Sequence, residues 1–174
     1  MMMLAKRVQL PATRLLSDLC TRSNNLYNVA MYYTRQEFFH LGNWLRYGDL
    51  YFMLRFHHNY SELGDLAGFQ VPQQVLKQVD KVWKGFFNAM KEWRKEPGKF
   101  RCKPHPPGYR NKGRKNVVTF TGQQCRIRDG HCILTRKMIA KGMPAVSTCI
   151  EEANLHCVLI VPHGDCYVFE IVHE

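Results

Sequence analysis

Residues 72–98, PQQVLKQVDKVWKGFFNAMKEWRKEPG, hold the strongest periodicity in this chain of 174 residues. Pro72 suits the first turn of a helix, and Pro97-Gly98 ends one. Between them apolar residues recur at spacings of three and four, which predicts an amphipathic helix whose apolar stripe faces the core. The stripe consists of Val75, Val79, Val82, Phe86, Met90 and Trp93.

The opposite side of the same helix carries a line of basic residues, here called the lysine ridge. Its members follow the same spacing about 180° from the apolar stripe. A solvated face usually mixes charges of both signs, yet Asp80, Glu92 and Glu96 lie off the ridge. We therefore expect the ridge to face the nucleic-acid backbone, with an ordinary solvated face as the alternative. The ridge consists of Lys77, Lys81, Lys84, Asn88, Lys91 and Lys95.

The residues before this helix predict one strand and two further helices. Leu4–Leu10 is expected to be a short strand, after which Pro11 opens a long helix that Gly42-Asn43 ends. A second helix is expected from about Trp44 to His58, followed by a polar connector with two glycines from Asn59 to Gly68. The long helix has an apolar face formed by Leu15, Leu19, Leu26, Ala30 and Tyr33.

Basic residues dominate the stretch after the helix. Between Lys99 and Lys141 the chain has twelve basic residues and a single acid, Asp129. Residues 103–110, KPHPPGYR, are too rich in proline for a helix or a central strand, so we expect an extended segment, the basic arm. The cations in and just after the arm that we expect to contact nucleic-acid backbone are Lys103, Arg110, Lys112, Arg114 and Lys115.

From residue 116 onward, short apolar or alternating pieces are separated by turn signals. Asp129-Gly130 and His163-Gly164-Asp165 predict hairpins. We therefore expect a small antiparallel sheet or barrel that Leu4–Leu10 also joins, with the helices inserted between, which makes the fold α+β. The expected strands are Val117–Thr121, Cys125–Ile127, His131–Leu134, Leu155–Val161 and Tyr167–Val172.

The whole chain is strongly basic. Its 25 Lys and Arg against 14 Asp and Glu give a net charge of +11, which attracts polyanions such as nucleic acid. The longest apolar runs, such as residues 157–161, are too short to span a membrane, and the N-terminus lacks the apolar stretch of a secretory signal. We therefore expect a cytoplasmic protein with no membrane partner.

Cysteines and acids do not form a recognisable catalytic or metal site. The seven cysteines are irregularly spaced without a C-x-x-C pair, so we expect reduced thiols. Cys102-x-x-His105 and His163-x-x-Cys166 each offer two zinc ligands, but a structural zinc site needs four that converge. Glu151 and Glu152 would point to opposite faces of a strand. We expect no catalytic residue, metal or cofactor in this chain.

Several short motifs, in their order and spacing, resemble the TnpB family along nearly the whole chain. TnpB proteins are the OrfB proteins of IS200/IS605- and IS607-type transposons and are similar to the compact type V CRISPR effectors. The motifs are residues 23–28 (SNNLYN), 32–39, 44–47 (WLRY), 73–87, 107–110 (PGYR) and 120–124 (FTGQQ).

The resemblance implies an architecture. It is a wedge domain, an oligonucleotide-binding-type β-barrel, interrupted after its first strand by a helical recognition domain. Residues 1–10 would be that strand, 11–97 the recognition domain, and 98–174 the basic arm with the rest of the barrel. The family's RuvC nuclease domain and zinc ribbon, which hold its divalent metals and zinc, would follow a strand like Tyr167–His173, and we expect both to be absent from this chain.

The resemblance also implies a function in a bacterial or archaeal cytoplasm. The chain would bind a guide RNA and a transposon-adjacent motif in double-stranded DNA, while base pairing selects the target. By motif, the DNA-motif contacts would be Tyr47, Gln73 and Thr121. Family members often have Asn after this Thr, and the present chain departs from that pattern with Gly122.

Two alternatives remain open. The chain would be either a natural nuclease-less form that acts as an RNA-guided DNA-binding repressor, or an interaction protein that pairs its aromatic helices with a separate nuclease subunit or with itself. Exposed side chains at Trp44, Trp83 or Trp93 would favour the second alternative. The oligomeric state is open in each case.

Overall fold

The computed structural model describes residues 2–174 and has an α+β fold. No helix in that range is both long enough and apolar enough to cross a membrane. The helices are α1 (Arg14–Leu41), α2 (Tyr47–Leu54), α3 (His58–Ala67), α4 (Gln70–Lys95) and α5 (Arg136–Ala140). The strands are β1 (Leu4–Leu10), β2 (Val118–Thr121), β3 (Arg126–Arg128), β4 (His131–Ile133), β5 (Val146–Ser147), β6 (Leu155–His163) and β7 (Cys166–His173).

The predicted long helix is confirmed as α1, and local chemistry sets both of its ends. The Thr13 hydroxyl accepts a hydrogen bond from the Leu16 N–H at 3.2 Å, which caps the first turn. At the other end Gly42 adopts a left-handed conformation with φ 69°, and its N–H donates to the Phe38 carbonyl at 2.8 Å. The helix therefore spans 28 residues between two capped ends.

The first strand joins a four-stranded antiparallel sheet in the order β1-β7-β6-β2. In register, Leu4 lies opposite His173 and Leu10 opposite Tyr167, so the beginning and end of the chain lie side by side. The hairpin predicted at His163-Gly164-Asp165 joins β6 to β7. The helices α1 to α4 are thus an insertion between β1 and the remaining strands, as the sequence predicts.

A second, three-stranded antiparallel sheet has the order β3-β4-β5. The predicted hairpin at Asp129-Gly130 is confirmed, and both residues have positive φ, 51° and 72°, as a type I′ turn requires. Strands β1 and β2 are the edges of the first sheet and do not pair with the second. Residues 2–174 therefore contain two small sheets, and no closed barrel is found among them.

Alternating side chains of the first sheet are buried where it packs against α1 and α4. On α4 the buried face is turned relative to the predicted stripe. Val82 is 37 % exposed, whereas Leu76 and Trp83, which lie outside that stripe, are fully buried. The prediction was wrong at Val82. The same helical spacing also allows a face rotated by one residue, and that face buries the larger side chains of Leu76 and Trp83. Trp83 packs within 6.1 Å of the ring centres of Phe38, Phe86 and Phe87.

The predicted second helix and connector are wrong in their bounds. The chain turns at residues 55–57, and the expected polar connector is the helix α3. Leu63, Leu66 and Ala67 of α3 are buried against the rest of the core. Gly64 reads as a loop signal in the sequence, but it is a packing residue, because a Cβ there would lie 2.3 Å from the Phe69 ring. Tertiary contact, and not propensity, decides this segment.

Candidate nucleic-acid interface

An open groove runs between α4 and the end of β2, here called the amide groove. Two hollows of about 260 and 640 Å³ form it and share Gln74 and Lys77. Side chains on one face of α4 form one wall of the groove. Alternate side chains of β2 and the turn that follows β2 form the other wall. The lining residues used below are Gln70, Gln73, Gln74, Lys77, Gln78 and Lys81 from α4, and Thr119, Thr121 and Gln123 from the opposite wall.

The three predicted DNA-motif residues come together at one end of this groove. The Tyr47 hydroxyl donates to Gln73 Oε1 at 3.4 Å, and Gln73 lines the groove with Thr121. Burial, with a smaller effect of Tyr51, raises the pKa of Tyr47, so its phenol keeps the proton that it donates. Thr121, the last residue of β2, donates its hydroxyl to Gln70 Oε1.

Glutamines contribute much of the lining of the groove. Gln70 Nε2 donates to Gln123 Oε1 at 3.3 Å, which links the two walls. A glutamine amide can donate and accept at once, so it matches the major-groove edge of adenine. The groove therefore offers hydrogen-bonding groups suited to base edges beside cations suited to phosphates.

Gly122, which follows β2, lies close to the backbone at the start of β6. A Cβ at this position would lie 3.0 Å from the carbonyl oxygens of both Leu155 and His156. Backbone atoms at the start of β6 thus press against the turn after β2, and a larger residue would require that strand to shift. The contact expected from an Asn at this position is absent from the groove.

The residues of the lysine ridge are all exposed along α4, but they differ in their partners. Lys84 lies 2.9 Å from the carboxylate of buried Asp80, which also accepts from Trp44 Nε1 at 3.3 Å. Lys95 forms an exposed pair with Glu92 at 3.0 Å, which contributes little. Lys77 lies 5.1 Å above the Tyr47 ring. Within residues 2–174, Lys77, Lys81 and Lys91 have no carboxylate within 4.0 Å.

Residues 103–110 of the basic arm form no helix or strand, as their prolines predict, and residues 107–117 lie along α1 and run antiparallel to it. We call them the clamped segment. Asn28 Nδ2 donates to the Arg110 carbonyl and Asn28 Oδ1 accepts from the Arg110 N–H, both at 2.9 Å. Further along α1, Asn24 Nδ2 donates to the Asn111 carbonyl at 3.3 Å, and the Asn116 N–H donates to the Cys20 carbonyl at 3.0 Å. Groups of α1 thus provide hydrogen-bond partners for backbone groups of the clamped segment that are not paired in a strand.

Arg110 has an internal role in this arrangement. Its guanidinium lies 4.1 Å from the centre of the Tyr27 ring and donates to Asn116 Oδ1. Asn116 is buried and donates in turn to Ser23 Oγ at 3.0 Å and to Gln78 Oε1 at 2.9 Å. Of the predicted backbone-contact residues, Arg110 is therefore the one whose charged group is held inside the fold.

The other predicted cations of this region point to solvent. Lys103 lies 5.5 Å from the centre of the Trp93 ring, and Lys115 lies 4.8 Å from that of Tyr167. Lys103, Lys112, Arg114 and Lys115 are all exposed. In residues 2–174 no carboxylate lies within 4.0 Å of these four side chains, so their charges remain available to a polyanion.

The acids, histidines and cysteines show no cluster of reactive groups. No group of three or more such side chains that could hold a metal is found in residues 2–174. All seven cysteines are free thiols. Burial raises the pKa of Cys20 to about 12 and that of Cys132 to about 11, so these thiols stay protonated and unreactive.

Sequence reasoning missed several groove residues, among them Gln70, Gln74, Gln78 and Gln123. A signal was present, because Gln70, Gln74 and Gln78 follow a spacing of four and form a polar amide stripe along α4. No protein-family model matches this chain, and a search of curated proteins finds no match. The interface is therefore assigned from its own geometry.

Proposed function

We propose that this chain binds a guide RNA and a short motif in double-stranded DNA. It would be the nucleic-acid-binding portion of a TnpB-like RNA-guided endonuclease and would contribute no cleavage chemistry of its own. A natural nuclease-less repressor would bind the same partners, and repression of a reporter without DNA cleavage distinguishes it. In this proposal the two sheets belong to a wedge domain of the oligonucleotide-binding type.

The observation that carries the proposal is the amide groove. Tyr47, Gln73 and Thr121 are far apart in sequence, yet hydrogen bonds and shared walls bring them together at one end of it. Lys77 and Lys81 line the same groove without a carboxylate partner in residues 2–174. Base-reading amides beside uncompensated cations are what recognition of a short DNA motif requires.

The guide RNA is assigned to the exposed cations outside the groove, Lys103, Lys112, Arg114 and Lys115. They lie in or beside the clamped segment, whose backbone is held against α1 by hydrogen bonds to Cys20, Asn24 and Asn28. A rigid row of cations loses little conformational entropy when it binds a phosphate backbone. This supports a stable RNA contact on one side of the molecule, with the DNA motif in the groove.

Selection from a duplex library with randomised positions tests the DNA half of the proposal. We expect one short motif to be enriched by the wild-type chain and no motif by the double variant Gln73→Ala/Gln74→Ala. Gln36→Ala, on an exposed position of α1 outside the groove, is the matched control and should select the same motif as wild type. Enrichment of the same motif by the double variant would contradict the proposal.

Sequencing of RNA that copurifies from the native host tests the RNA half. One discrete RNA that maps to the end of the neighbouring transposon is expected. A random sample of cellular RNA, or none, would reduce the exposed cations to a general polyanion-binding surface and would contradict the guide-RNA assignment.

One observation favours a second candidate, an interaction protein. Phe52 and Phe56 on and after α2 are 68 % and 82 % exposed, with Met53 beside them. The tryptophans give no such support, because Trp83 is buried and Trp44 and Trp93 are partly buried. Association that is independent of salt and is lost in Phe56→Ser would support this candidate, and sedimentation velocity measures it.

A further inference from the structure

A second cleft lies between α1, the clamped segment and the turn before α3. It has a volume of about 490 Å³, within the range of about 300–1,000 Å³ that is typical of sites for small ligands. Nothing in the amide groove uses it. We call it the tyrosine cleft, and its lining includes Tyr32, Tyr33, His57, Tyr109, Arg110 and Lys112.

The aromatic walls of the cleft come from three separate elements. Tyr32 and Tyr33 lie on α1 with their rings nearly perpendicular, 79° apart at a centroid distance of 5.4 Å. Tyr109 comes from the clamped segment, and His57 precedes α3. Tyr32 is 48 % and Tyr109 51 % exposed, so about half of each side chain is accessible to a ligand.

The clamped segment holds one wall in place. Because Asn28 satisfies both backbone groups of Arg110, the neighbouring Tyr109 has a fixed backbone position. The Arg35 guanidinium lies 5.3 Å from the centre of the Tyr109 ring and donates to the Pro107 carbonyl. The cleft is therefore built before any ligand arrives, which lowers the entropy lost on binding.

The charge of the cleft selects among planar ligands. Arg110 and Lys112 line it, and none of the described residues that line it is an acid. His57 Nδ1 accepts from the Asn59 N–H at 3.2 Å, which leaves Nε2 as the protonated nitrogen and a hydrogen-bond donor. Burial, followed by the charge of His58, lowers the pKa of His57, so the imidazole stays neutral near pH 7.

We propose that the tyrosine cleft receives one unpaired nucleobase of a nucleic acid, stacked against Tyr32 and Tyr109 with its phosphate beside Lys112. Stacking on aromatic rings with a cation nearby is the general chemistry by which unpaired bases are bound. An aromatic side chain of a protein would use the rings but would leave Lys112, which has no carboxylate within 4.0 Å in residues 2–174, without a partner. The inference deepens the proposed function and rests on it only in that the partner is a nucleic acid.

A hydrogen-bonded chain links this cleft to the amide groove. Gln78, which lines the groove, accepts from Asn116, and Asn116 accepts from Arg110, which lines the cleft. The two sites are therefore distinct openings on either side of one buried polar cluster. A bulged base and a DNA motif can be bound at the same time.

The fluorescence of 2-aminopurine tests the proposal, because stacking on an aromatic ring quenches it. The probes are an RNA hairpin with 2-aminopurine in a one-nucleotide bulge, the same hairpin with that base paired, and a DNA hairpin with the same bulge. We expect quenching of the bulged probe only. Stronger quenching in the RNA hairpin would assign the site to RNA, and equal quenching would assign it to any unpaired base.

Leucine variants locate the stacked base. Tyr32→Leu and Tyr109→Leu should each weaken binding of the bulged hairpin roughly five-fold or more and remove the quenching. Tyr109→Phe keeps the ring and should restore both. Phe52→Leu removes a more exposed aromatic ring outside the cleft and is the matched control. Circular dichroism of each variant verifies that it is folded.

The outcomes separate this inference from the proposed function. Quenching that is equal for bulged and paired probes, or that survives in both leucine variants, would overturn the tyrosine cleft as a base site. A chain that selects a DNA motif but quenches no probe keeps the proposed function and loses this inference. A chain that quenches the bulged probe but selects no DNA motif keeps this inference and loses the proposed recognition of a DNA motif.

Discussion

The amide groove and the clamped segment are both polar and basic, yet they use their hydrogen-bonding groups differently. In the groove, Gln73, Gln74 and Lys81 line open hollows, and Lys81 has no carboxylate within 4.0 Å in residues 2–174. In the clamped segment, Arg110 is held by Tyr27 and Asn116, and its backbone is paired with Asn28. A basic side chain such as Arg110 stabilises the fold when an acceptor and an aromatic ring inside the protein contact it. A basic side chain without such contacts, such as Lys81, remains available to a ligand.

The largest effect is expected from the buried amide that anchors the clamped segment. Asn116→Ala removes the hydrogen bonds of buried Asn116 to Ser23, Gln78 and Arg110 at once. Ser23 keeps its bond to the Val117 carbonyl, whereas the partly buried Gln78 and Arg110 groups lose this partner. Each such group costs about 1–3 kcal/mol, so we expect a loss of about 2–3 kcal/mol in the free energy of unfolding. Urea denaturation followed by circular dichroism measures it.

Asn111→Ala is the matched control for this variant. Asn111 lies in the same segment but is exposed and contributes only its backbone carbonyl to α1. Its replacement should change the free energy of unfolding by less than about 0.5 kcal/mol. Equal losses in both variants would show that the segment is not anchored through the Asn116 side chain.

Exchanging two cations for methionine contrasts the two regions directly. Arg110→Met should lower the free energy of unfolding by about 1–2 kcal/mol, since it removes a partly buried hydrogen bond and a cation–π contact, and it should leave the salt dependence of duplex binding unchanged. Lys81→Met should leave stability unchanged and reduce the slope of log K against log salt by about 0.9. Fluorescence anisotropy with a labelled duplex measures the slope. A change of slope in Arg110→Met would place its charge in the interface.

A smaller effect is expected at the mouth of the groove. Tyr47→Phe removes the hydroxyl that orients the Gln73 amide from 3.4 Å, and a bond of this length contributes little to stability. The preference for the selected motif over a scrambled duplex should fall about two- to ten-fold, since the amide then rotates more freely. The ratio of the two Kd values measures it. An unchanged ratio would remove Tyr47 from motif recognition.

Local patterns were enough to predict most elements of the fold. The strong turn signal at Asp129-Gly130, the helix stop at Gly42 and the alternation within β6 and β7 depend on neighbouring residues, and the structure agrees with each. The failures depend on distant contacts. Gly64 is a glycine because Phe69 packs on it, so its segment is a helix although the sequence resembles a loop.

In the amide groove, some of the residues were singled out from the sequence, but their arrangement was not predictable from it. The resemblance singled out Tyr47, Gln73 and Thr121. Their arrangement depends on how α4 packs beside β2, because this packing lets Gln73 and Thr121 line one groove while Tyr47 hydrogen-bonds to Gln73. Arg110 resembles its exposed neighbours Lys112 and Arg114 in the sequence. Its different role follows from Tyr27 and Asn28, which lie more than eighty residues earlier on α1.

The smallest expected effect is on the pH dependence of stability near the clamped segment. Burial and His58 lower the pKa of His57 below 6.5, so the unfolded chain takes up a proton at a higher pH than the folded one does. The contribution of His57 is therefore fully present above pH 6.5 and is lost as the pH falls through the lower pKa of the folded state. Arg110 and Lys112 line the same cleft as His57, and none of the described residues that line it is an acid.

His57→Gln should flatten the dependence between pH 7.5 and pH 5.5, while replacement of the exposed His163 by Gln should leave it as in the wild-type chain. Urea midpoints at the two pH values measure the difference. The opposite result is a wild-type chain that is more stable at pH 5.5 than at pH 7.5, with a difference that His57→Gln removes. That result would mean that the imidazolium is favoured in the folded state. The cleft would then have an acceptor for it, and its base-binding face would be cationic at three positions instead of two.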